Sequence, residues 1–385
     1  MKNKILLILS HILVALIATA ATLFIFVGQT PQNYSKLDQL EELITEKFIG
    51  EADKTAMEDA AAGAMVDALG DRWSYYISAA DYGAYMEQMK NAYVGIGVTV
   101  QTRQDNIGLD VIAVTAGGPA EDAGIQPGDI IVAVEGQRIE GQDVNAVSGK
   151  IKGKEGTSVT LTIKRGEEER TVTVMRRQIQ VQVAKWQMPE GNIGLVTIEN
   201  FDERCASESI AAIEELIKQG ATKLIFDVRN NPGGYKDELV DLLDYLVPKG
   251  LIFRSEYYDG KIEDDNSDAK ELNMPMAVIV NADSYSAAEF FPAALRDYEK
   301  AIVVGQQTCG KGYFQNTYLL KDGSAVGLSI GKYYTPKGVS LAGVGVTPDV
   351  TVEVDDETYS KIYYDMLEPM EDPQILAAID ALKDK

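Results

Sequence analysis

The sequence predicts a multidomain protein that combines α+β and α/β architecture. Three observations lead to this fold class. An apolar run spans Ile5–Val27, short β-type segments separated by Gly and Asp turns fill residues 92–177, and buried-type strands alternate with amphipathic helices from residue 178 onward. At 385 residues the chain is also too long for one typical domain. We expect an N-terminal membrane helix and linker (1–31), a helical region (32–91), a β domain (92–177), an α/β domain (178–358) and a C-terminal helical region (359–385).

The composition excludes several classes of protein. A formal net charge of −23 argues against a nucleic-acid partner, because a phosphate backbone requires a basic surface. The two cysteines, Cys205 and Cys309, lie far apart, so a disulfide framework is not expected. No metal-ligand spacing occurs in the chain, and we expect no metal and no cofactor.

The apolar N-terminal run has two interpretations. Preceded by Lys2 and Lys4, Ile5–Val27 is long enough to cross a hydrocarbon core as a helix. A cleavable signal peptide is the alternative, with Ala18-Thr-Ala20 as its cleavage site. Because the run continues through Val27, we favour an uncleaved single-pass anchor in the cell membrane. The rest of the chain would then lie on the extracytoplasmic side, or be secreted if the segment is cleaved.

Residues 32–91 are predicted to be helical. Leu37–Phe48 has amphipathic spacing, Met57–Leu69 is rich in Ala, and Asp81–Asn91 forms a third helical segment. Asp71-Arg-Trp-Ser-Tyr-Tyr76 interrupts the helices as a turn. The helices could form an arm for homodimerisation or could pack against the rest of the protein, and the sequence leaves both open.

Residues 92–177 resemble a PDZ domain. The resemblance rests on Gly117-Gly-Pro-Ala-Glu-Asp-Ala-Gly124, on the turn Gln126-Pro-Gly-Asp129 and on Tyr93-Val-Gly-Ile-Gly-Val98. Such a domain adds a peptide as an extra strand and binds its terminal carboxylate with backbone N–H groups. The resemblance implies protein or peptide partners with apolar C-termini. It also implies a carboxylate-binding loop that consists of Val94, Gly95, Ile96, Gly97 and Val98.

The α/β region alternates strands and helices, and its ligand sites are expected beyond the carboxyl ends of the strands. The predicted strands and helices, in chain order, are Ile193–Ile198, Ser207–Gln219, Lys223–Val228, Glu238–Leu246, Met276–Val280 and Ala287–Tyr298. The glycines of Arg229-Asn-Asn-Pro-Gly-Gly-Tyr235 would let the backbone approach a substrate closely. The acidic segment Asp259–Asn273 is predicted to be a surface loop.

Ser286 is the candidate nucleophile, because it lies at a strand-to-helix turn where the first helical N–H groups are unpaired and favour negative charge. A serine needs a base, and the single histidine, His11, lies within the apolar N-terminal run, so a Ser-His-Asp triad is excluded. A buried lysine is the alternative base. Lys311 lies between two glycines after the apolar strand Ala301–Val304, and Gln315 could hydrogen-bond its amine.

Taken together, these motifs resemble the carboxyl-terminal processing peptidases, which have a Ser/Lys dyad on a core related to the crotonase-like fold. That family shows a Ser-x-Ser-x-x-Glu segment followed by Gly-Lys-Gly about two dozen residues later. The resemblance implies that Ser286 is the nucleophile, Lys311 the general base, Gln315 its orienting residue and Glu289 a supporting residue.

The glycine segment resembles the Arg-x-Asn-x-Gly-Gly segment of the same family. This implies that the N–H groups of Gly233 and Ala287 stabilise the oxyanion, with Gly234 as the alternative to Gly233. The sequence therefore predicts a membrane-anchored serine endopeptidase whose PDZ domain either delivers substrate tails or gates the site, and the resemblance favours gating. Two alternatives remain: a non-catalytic PDZ adaptor or tail-binding chaperone, and an enzyme that acts on acyl thioesters.

Overall fold

The computed structural model describes residues 19, 35–268, 270–383 and 385. Apart from Thr19, the run Ile5–Val27 lies outside the described residues, and so do the membrane anchor and the cleavage site predicted from it. Among the described helices, none combines the length and apolar character needed to cross a membrane.

The helices occur at both ends of the described chain and between the strands. In chain order they are α1 (Lys36–Lys47), α2 (Lys54–Asp67), α3 (Tyr82–Met89), α4 (Pro119–Asp122), α5 (Val144–Ile151), α6 (Cys205–Lys218), α7 (Lys236–Leu246), α8 (Ala287–Asp297), α9 (Asp356–Tyr363) and α10 (Pro373–Ala381). A 3-10 turn covers Pro369–Glu371.

Nineteen strands are described, and most are short. The first nine are β1 (Tyr75–Ile77), β2 (Ala92–Gly95), β3 (Val98–Thr102), β4 (Leu109–Val114), β5 (Ile130–Val134), β6 (Gln137–Arg138), β7 (Ser158–Arg165), β8 (Glu168–Met175) and β9 (Arg177–Gln180). The other ten are β10 (Ala184–Glu190), β11 (Ile193–Ile198), β12 (Lys223–Asp227), β13 (Gly250–Tyr257), β14 (Ile262–Ser267), β15 (Met276–Val280), β16 (Ala301–Gly305), β17 (Tyr313–Leu319), β18 (Ala325–Tyr334) and β19 (Val350–Thr351).

The chain divides into two compact units, Met1–Met65 and Val66–Lys385. In the first unit, Ser35 and Asp38 form a capping box at the start of α1, which satisfies N–H groups that would otherwise be unpaired. The apolar residues Leu37, Leu40 and Leu43 of this helix are exposed. The division falls inside the predicted helical region 32–91. The later part of that region belongs to the larger unit, where Tyr75–Ile77 pairs with β18.

A six-stranded sheet forms the centre of the α/β region. Its order is β10-β11-β12-β15-β16-β19, and every pair is parallel except the edge pair β10-β11. The apolar faces of α6, α7 and α8 are buried in the core on one side of the sheet, and α10 packs on the other side. Helices on both faces explain why β15 is buried along its whole length. The predicted α/β layer architecture is confirmed.

A buried ionic cluster connects the end of β12 to the start of α10. The guanidinium of Arg229 lies 2.5 Å from an oxygen of Asp227 and 2.8 Å from one of Asp372, and it donates to Gln374. The Arg229 and Asp372 side chains are about 5% exposed. A buried charge of this kind requires its partners, so the conformation of the 229–235 segment depends on α10.

A second, antiparallel sheet has the order β1-β18-β13-β14, with β17 also paired to β18. It corrects the prediction of a surface loop at Asp259–Asn273, because β14 pairs with β13 within that segment. The acidic side chains are compatible with a strand here because they have cationic partners. Asp264 pairs with Arg254, and Asp265 pairs with Lys236.

The β domain is formed by an antiparallel sheet of order β3-β4-β5-β7-β8, with β6 paired to β5. The apolar side chains of these strands form a core of their own with α4 and α5. The separate strands β2 and β9 pair where the chain enters and leaves the domain. Among the described strands β3 pairs only with β4, so its other edge is open to an added strand.

Candidate active site

Ser286 lies between the end of β15 and the first residue of α8, as predicted. Its backbone has φ 61° and ψ −122°, a conformation that residues other than glycine rarely adopt. The segment that precedes Ser286 is hydrogen-bonded to the backbone around the glycine segment Arg229–Tyr235. The hydroxyl of Ser284 donates to the carbonyl of Val228, and Tyr285 N donates to the carbonyl of Asn231. Strained backbone held by its surroundings is frequent at catalytic residues.

The carboxylate of Glu289 organises the site. It is fully buried and accepts hydrogen bonds on both oxygens. Oε2 accepts from the backbone N–H groups of Ser286 at 3.0 Å and Lys311 at 2.8 Å. Oε1 accepts from Gly310 N at 2.6 Å and from the hydroxyl of Thr308. One carboxylate oxygen therefore brings the backbones of the predicted nucleophile and the predicted base together.

The amine of Lys311 is in an apolar environment. Burial lowers the pKa of Lys311 to about 8, while the negative charges of Glu289 and Asp71 act in the opposite direction. Its Nζ lies 4.9 Å from the centroid of the Trp73 ring and 6.0 Å from that of Tyr285. A lysine with such a pKa is partly neutral near physiological pH, which a general base requires.

Tyr333 is a site residue that the sequence reasoning missed. Its hydroxyl donates to the carbonyl oxygen of Lys311. Burial raises the pKa of Tyr333 well above its ordinary value, and hydrogen bonding with the Ser286 side chain opposes this rise. The phenol therefore contacts both members of the predicted dyad. Its position in the long strand β18 gave no signal in the sequence.

Gln315 has other partners in this structure. Its amide nitrogen donates to Ser329 Oγ at 3.0 Å and to the carbonyl of Tyr313 at 3.3 Å. Ser329 in turn hydrogen-bonds Asp71, and this interaction lowers the pKa of that carboxylate. Gln315 thus belongs to a hydrogen-bonded chain beside Lys311, and its role in orienting the amine stays a prediction.

The glycine segment, Arg229–Tyr235, lies in close contact with Ser286. Gly233 has φ 88°, and a Cβ built on it would lie 2.7 Å from Ser286 Cβ, so only glycine fits. Its N–H donates to Oδ1 of the buried Asn231 at 2.8 Å. Among the described residues, the N–H groups of Ala287 and Gly234 donate to no acceptor. The oxyanion role predicted for Gly233 and Ala287 is therefore untested, and Gly233 would have to release Asn231 to perform it.

The predicted carboxylate-binding loop connects β2 to β3. Gly97 has φ 76°, which places the loop in a tight turn. The carbonyls of Ile96 and Gly97 accept from Ala120 N and Thr115 N, respectively. Val94, Gly95 and Val98 lie in the flanking strands, next to the open edge of β3. This arrangement suits an added strand, while tail binding itself stays a prediction.

Comparisons with known proteins find a peptidase family and a PDZ domain in this chain. The model of Peptidase family S41 matches residues 192–352, and that of the PDZ domain matches residues 111–165. A probable CtpA-like serine protease of Staphylococcus aureus (strain COL) is 36% identical over 327 residues, which cover 83% of this chain and 65% of the relative. The corresponding protein of strain MRSA252 is 35% identical over 354 residues, which cover 89% of this chain and 70% of the relative.

This chain thus spans about 65% of the length of the relative from strain COL. Among solved structures, a putative S41 protease from Bacteroides fragilis matches with a TM-score of 0.54 and 17% identity over 87% of this chain and 92% of that one, which shows the same fold. From the strand-turn-helix around Ser286, the site around Glu289 and these matches, we conclude that the chain belongs to peptidase family S41 and carries a PDZ domain.

Proposed function

We propose that this protein is a serine endopeptidase in which Ser286 attacks the scissile carbonyl and Lys311 accepts its proton. The observation that carries the proposal is the pair of hydrogen bonds from Ser286 N and Lys311 N to one oxygen of Glu289. These bonds bring the backbone of a strained serine and that of a lysine whose pKa is lowered to about 8 by burial to the same carboxylate, which supports the proposed dyad. The combination meets the requirements of an activated nucleophile.

The remaining steps follow from the same geometry. The oxyanion would accept from the N–H of Ala287 and from that of Gly233, or of Gly234 if Gly233 keeps its bond to Asn231. A single lost donor of this type costs about two to three orders of magnitude in kcat. Protonated Lys311 then gives its proton to the leaving amine, and water hydrolyses the acyl-enzyme. Gln315 would orient the amine during these transfers.

We further propose that the PDZ domain binds apolar C-terminal tails of protein or peptide substrates. The loop Val94–Val98 would bind the terminal carboxylate, and the tail would pair with the open edge of β3. Residues 5–27 would anchor the chain in the cell membrane with the rest on the extracytoplasmic side. The exposed residues Leu37, Leu40 and Leu43 of α1 support a homodimer through the helical region.

Cleavage of an unstructured protein with an apolar C-terminus tests the proposal. The purified full-length chain should cut it, and Ser286→Ala and Lys311→Ala should each abolish cleavage, because either change removes one half of the dyad. The matched controls are Ser207→Ala and Lys321→Ala, at exposed positions outside the site, which should cut at the wild-type rate.

A substrate whose tail ends in charged residues should be cut more slowly, because PDZ recognition requires an apolar tail. If the wild type and both dyad variants bind the tail equally and none cuts, the chain is a non-catalytic tail-binding protein and the proposal fails.

A further inference from the structure

Trp73 lies in a turn that is fixed from two sides. The carboxylate of Asp71 accepts from Trp73 N at 3.1 Å and from the hydroxyl of Ser74 at 2.6 Å. Ser74 Oγ also accepts from Ser329 N at 3.1 Å, which attaches the turn to β18. These hydrogen bonds fix the backbone of Trp73 and therefore limit the positions that its indole ring can take.

The Trp73 ring contacts both sides of the catalytic cluster. Lys311 Nζ lies 4.9 Å from its centroid, and the Tyr285 ring lies 6.0 Å away. The guanidinium carbon of Arg72 lies 4.3 Å from the same centroid. Among the described residues, Lys311 Nζ has no hydrogen-bond acceptor, so aromatic contacts replace the carboxylate that a lysine usually pairs with.

Trp73 also lines an open pocket of about 680 Å³. The other lining side chains include Arg72, Tyr257, Tyr313 and Lys332, whereas Lys311 is not part of the lining. At about 30 Å³ per molecule, the pocket has room for roughly 20 waters. Trp73 thus both lines this pocket and contacts the lysine amine.

We propose that Trp73 is a positioning residue that separates the amine of Lys311 from the water of this pocket and holds it ready to act as the base. The inference deepens the proposed function and rests on it. Removing the indole would open the amine to the pocket, and the reaction would lose its neutral base at the pH where it is needed.

Two opposing effects decide the direction of the change. The face of an indole stabilises the ammonium form by about 0.5–2 kcal/mol, which would raise the pKa of Lys311. Exclusion of water lowers the pKa, and for buried groups this effect reaches about 3–5 units. Burial is the largest influence on Lys311, whose pKa lies near 8. The exclusion of water therefore outweighs the cation–π attraction, and we expect the pKa of Lys311 to rise when Trp73 is removed.

The other groups around the amine stay in place in such a variant. The ionisable residues that act on the amine are Glu289 on α8, Asp71 in the turn and Cys309 in its own loop, and the ring of Tyr285 lies 6.0 Å from it. Arg72 lies against the Trp73 ring, and Tyr333 on β18 donates to the backbone carbonyl of Lys311. Of these, Glu289, Asp71 and Cys309 raise the pKa of Lys311. The carboxylates of Glu289 and Asp71 stabilise the ammonium form of Lys311, and desolvation opposes them. If water reached the amine, desolvation would weaken and the pKa of Lys311 would rise.

The expected effect depends on pH. With a pKa of about 8, about one tenth of Lys311 is neutral at pH 7, and a rise of about one unit reduces this fraction roughly 10-fold. At pH 10 the same rise reduces the neutral fraction by only about one tenth. Trp73→Ala should therefore lower kcat strongly at pH 7 and little at pH 10, with KM nearly unchanged. A merely structural defect would lower kcat by the same factor at every pH.

A measurement that is independent of cleavage gives the pKa directly. Competitive acetylation of the purified full-length chain with acetic anhydride, read by mass spectrometry on the peptide that contains Lys311, reports the pKa of its amine. We expect the pKa to rise by about one unit in Trp73→Ala, to rise less in Trp73→Leu, and to stay close to the wild-type value in Trp73→Phe.

The chain offers a matched control in its only other tryptophan. Trp186 lies on the edge strand β10 and is partly exposed, so Trp186→Ala should leave the pKa of Lys311 unchanged. A pKa in Trp73→Ala that is equal to or below the wild-type value overturns the proposal. If that variant does not fold, an unchanged value in Trp73→Leu overturns it equally.

The proposed function and the role of Trp73 fail in different ways. Absence of cleavage by the wild type refutes the peptidase, while acetylation still reports whether Trp73 controls the amine. Cleavage that needs Ser286 and Lys311, combined with an unshifted pKa in the Trp73 variants, refutes only the role of Trp73.

Discussion

Replacing Glu289 by Gln tests whether the buried carboxylate assembles the site. Each carboxylate oxygen accepts two donors, whereas an amide accepts on one side only and donates on the other. In the better orientation, the amide oxygen keeps the N–H groups of Ser286 and Lys311, and the NH₂ group faces Thr308 and Gly310. The hydroxyl of Thr308 can rotate to accept, but the N–H of Gly310 cannot.

The variant thus leaves one buried donor unpaired, which costs about 1–3 kcal/mol. Its remaining hydrogen bonds also become weaker, because charge-assisted bonds are about twice as strong as neutral ones. Burial raises the pKa of Glu289, which shows that the charge itself is costly there, so its removal offsets part of this loss. We expect Glu289→Gln to lower the free energy of unfolding by about 1–3 kcal/mol, as read from urea denaturation.

The same variant should change the pH dependence of cleavage. Glu289 raises the pKa of Lys311, so removing its charge lowers that pKa further below its ordinary value. The acid limb of the kcat profile should therefore move to lower pH, while kcat at the plateau falls because the two backbones are held less tightly. Glu299→Gln, at an exposed position after α8, is the matched control and should change neither quantity. An unchanged stability, or an acid limb that moves to higher pH, would refute the role assigned to Glu289.

Two further predictions concern the cost of the dyad to stability. The pKa of Lys311 is about 8 in the folded protein against 10.5 ordinarily, so its burial costs about 3 kcal/mol at pH values below 8, where both the folded and the unfolded chain carry the charge. Lys311→Met should therefore be more stable than wild type by about that amount below pH 8, and the difference should fade as the pH rises from 8 to 10.5. Urea denaturation across pH 7–11 measures it, and a difference that does not vary with pH contradicts it. Ser286→Gly and Ser286→Ala should both be inactive, but the glycine variant should be more stable by about 1 kcal/mol, because a φ of 61° strains alanine and not glycine. Thermal unfolding compares them, and equal stabilities would show that this backbone is not strained.

The strand-to-helix turn that carries Ser286 was predictable from the sequence, because the hydrophobic pattern of neighbouring residues determines such a turn. The apolar run Met276–Val280 and the helical periodicity after Ser286 place the serine at a strand-to-helix turn, and the structure has this turn. The single histidine excluded one catalytic class by its position alone. The glycines on either side of Lys311 helped to mark it as the candidate base, and the structure brings its backbone N–H to the same carboxylate as that of Ser286.

The long-range parts were not predictable by the same reasoning. Trp73 and Tyr333 reach Lys311 only through the antiparallel sheet in which β1 pairs with β18, and short strands of mixed polarity give little periodic signal. Strand β14 was missed because its acidic residues indicate a loop unless the cations opposite them are known. The oxyanion role of the Gly233 N–H follows from the resemblance of its segment to Arg-x-Asn-x-Gly-Gly, whereas in the structure this N–H donates to the side chain of Asn231.

The ion pair between Arg229 and Asp372 makes the loop next to Ser286 depend on a residue far away in sequence. The loop next to Ser286 begins at Arg229, and the charge of this residue is balanced in part by a residue that the ribosome adds much later. A nascent chain that ends before Asp372 leaves that guanidinium short of one partner and the sheet without α10 on one face. A chain shortened before Asp372 should therefore fail to hold the loop beside Ser286 in its native conformation, although the residues that are lost lie far from the serine in sequence.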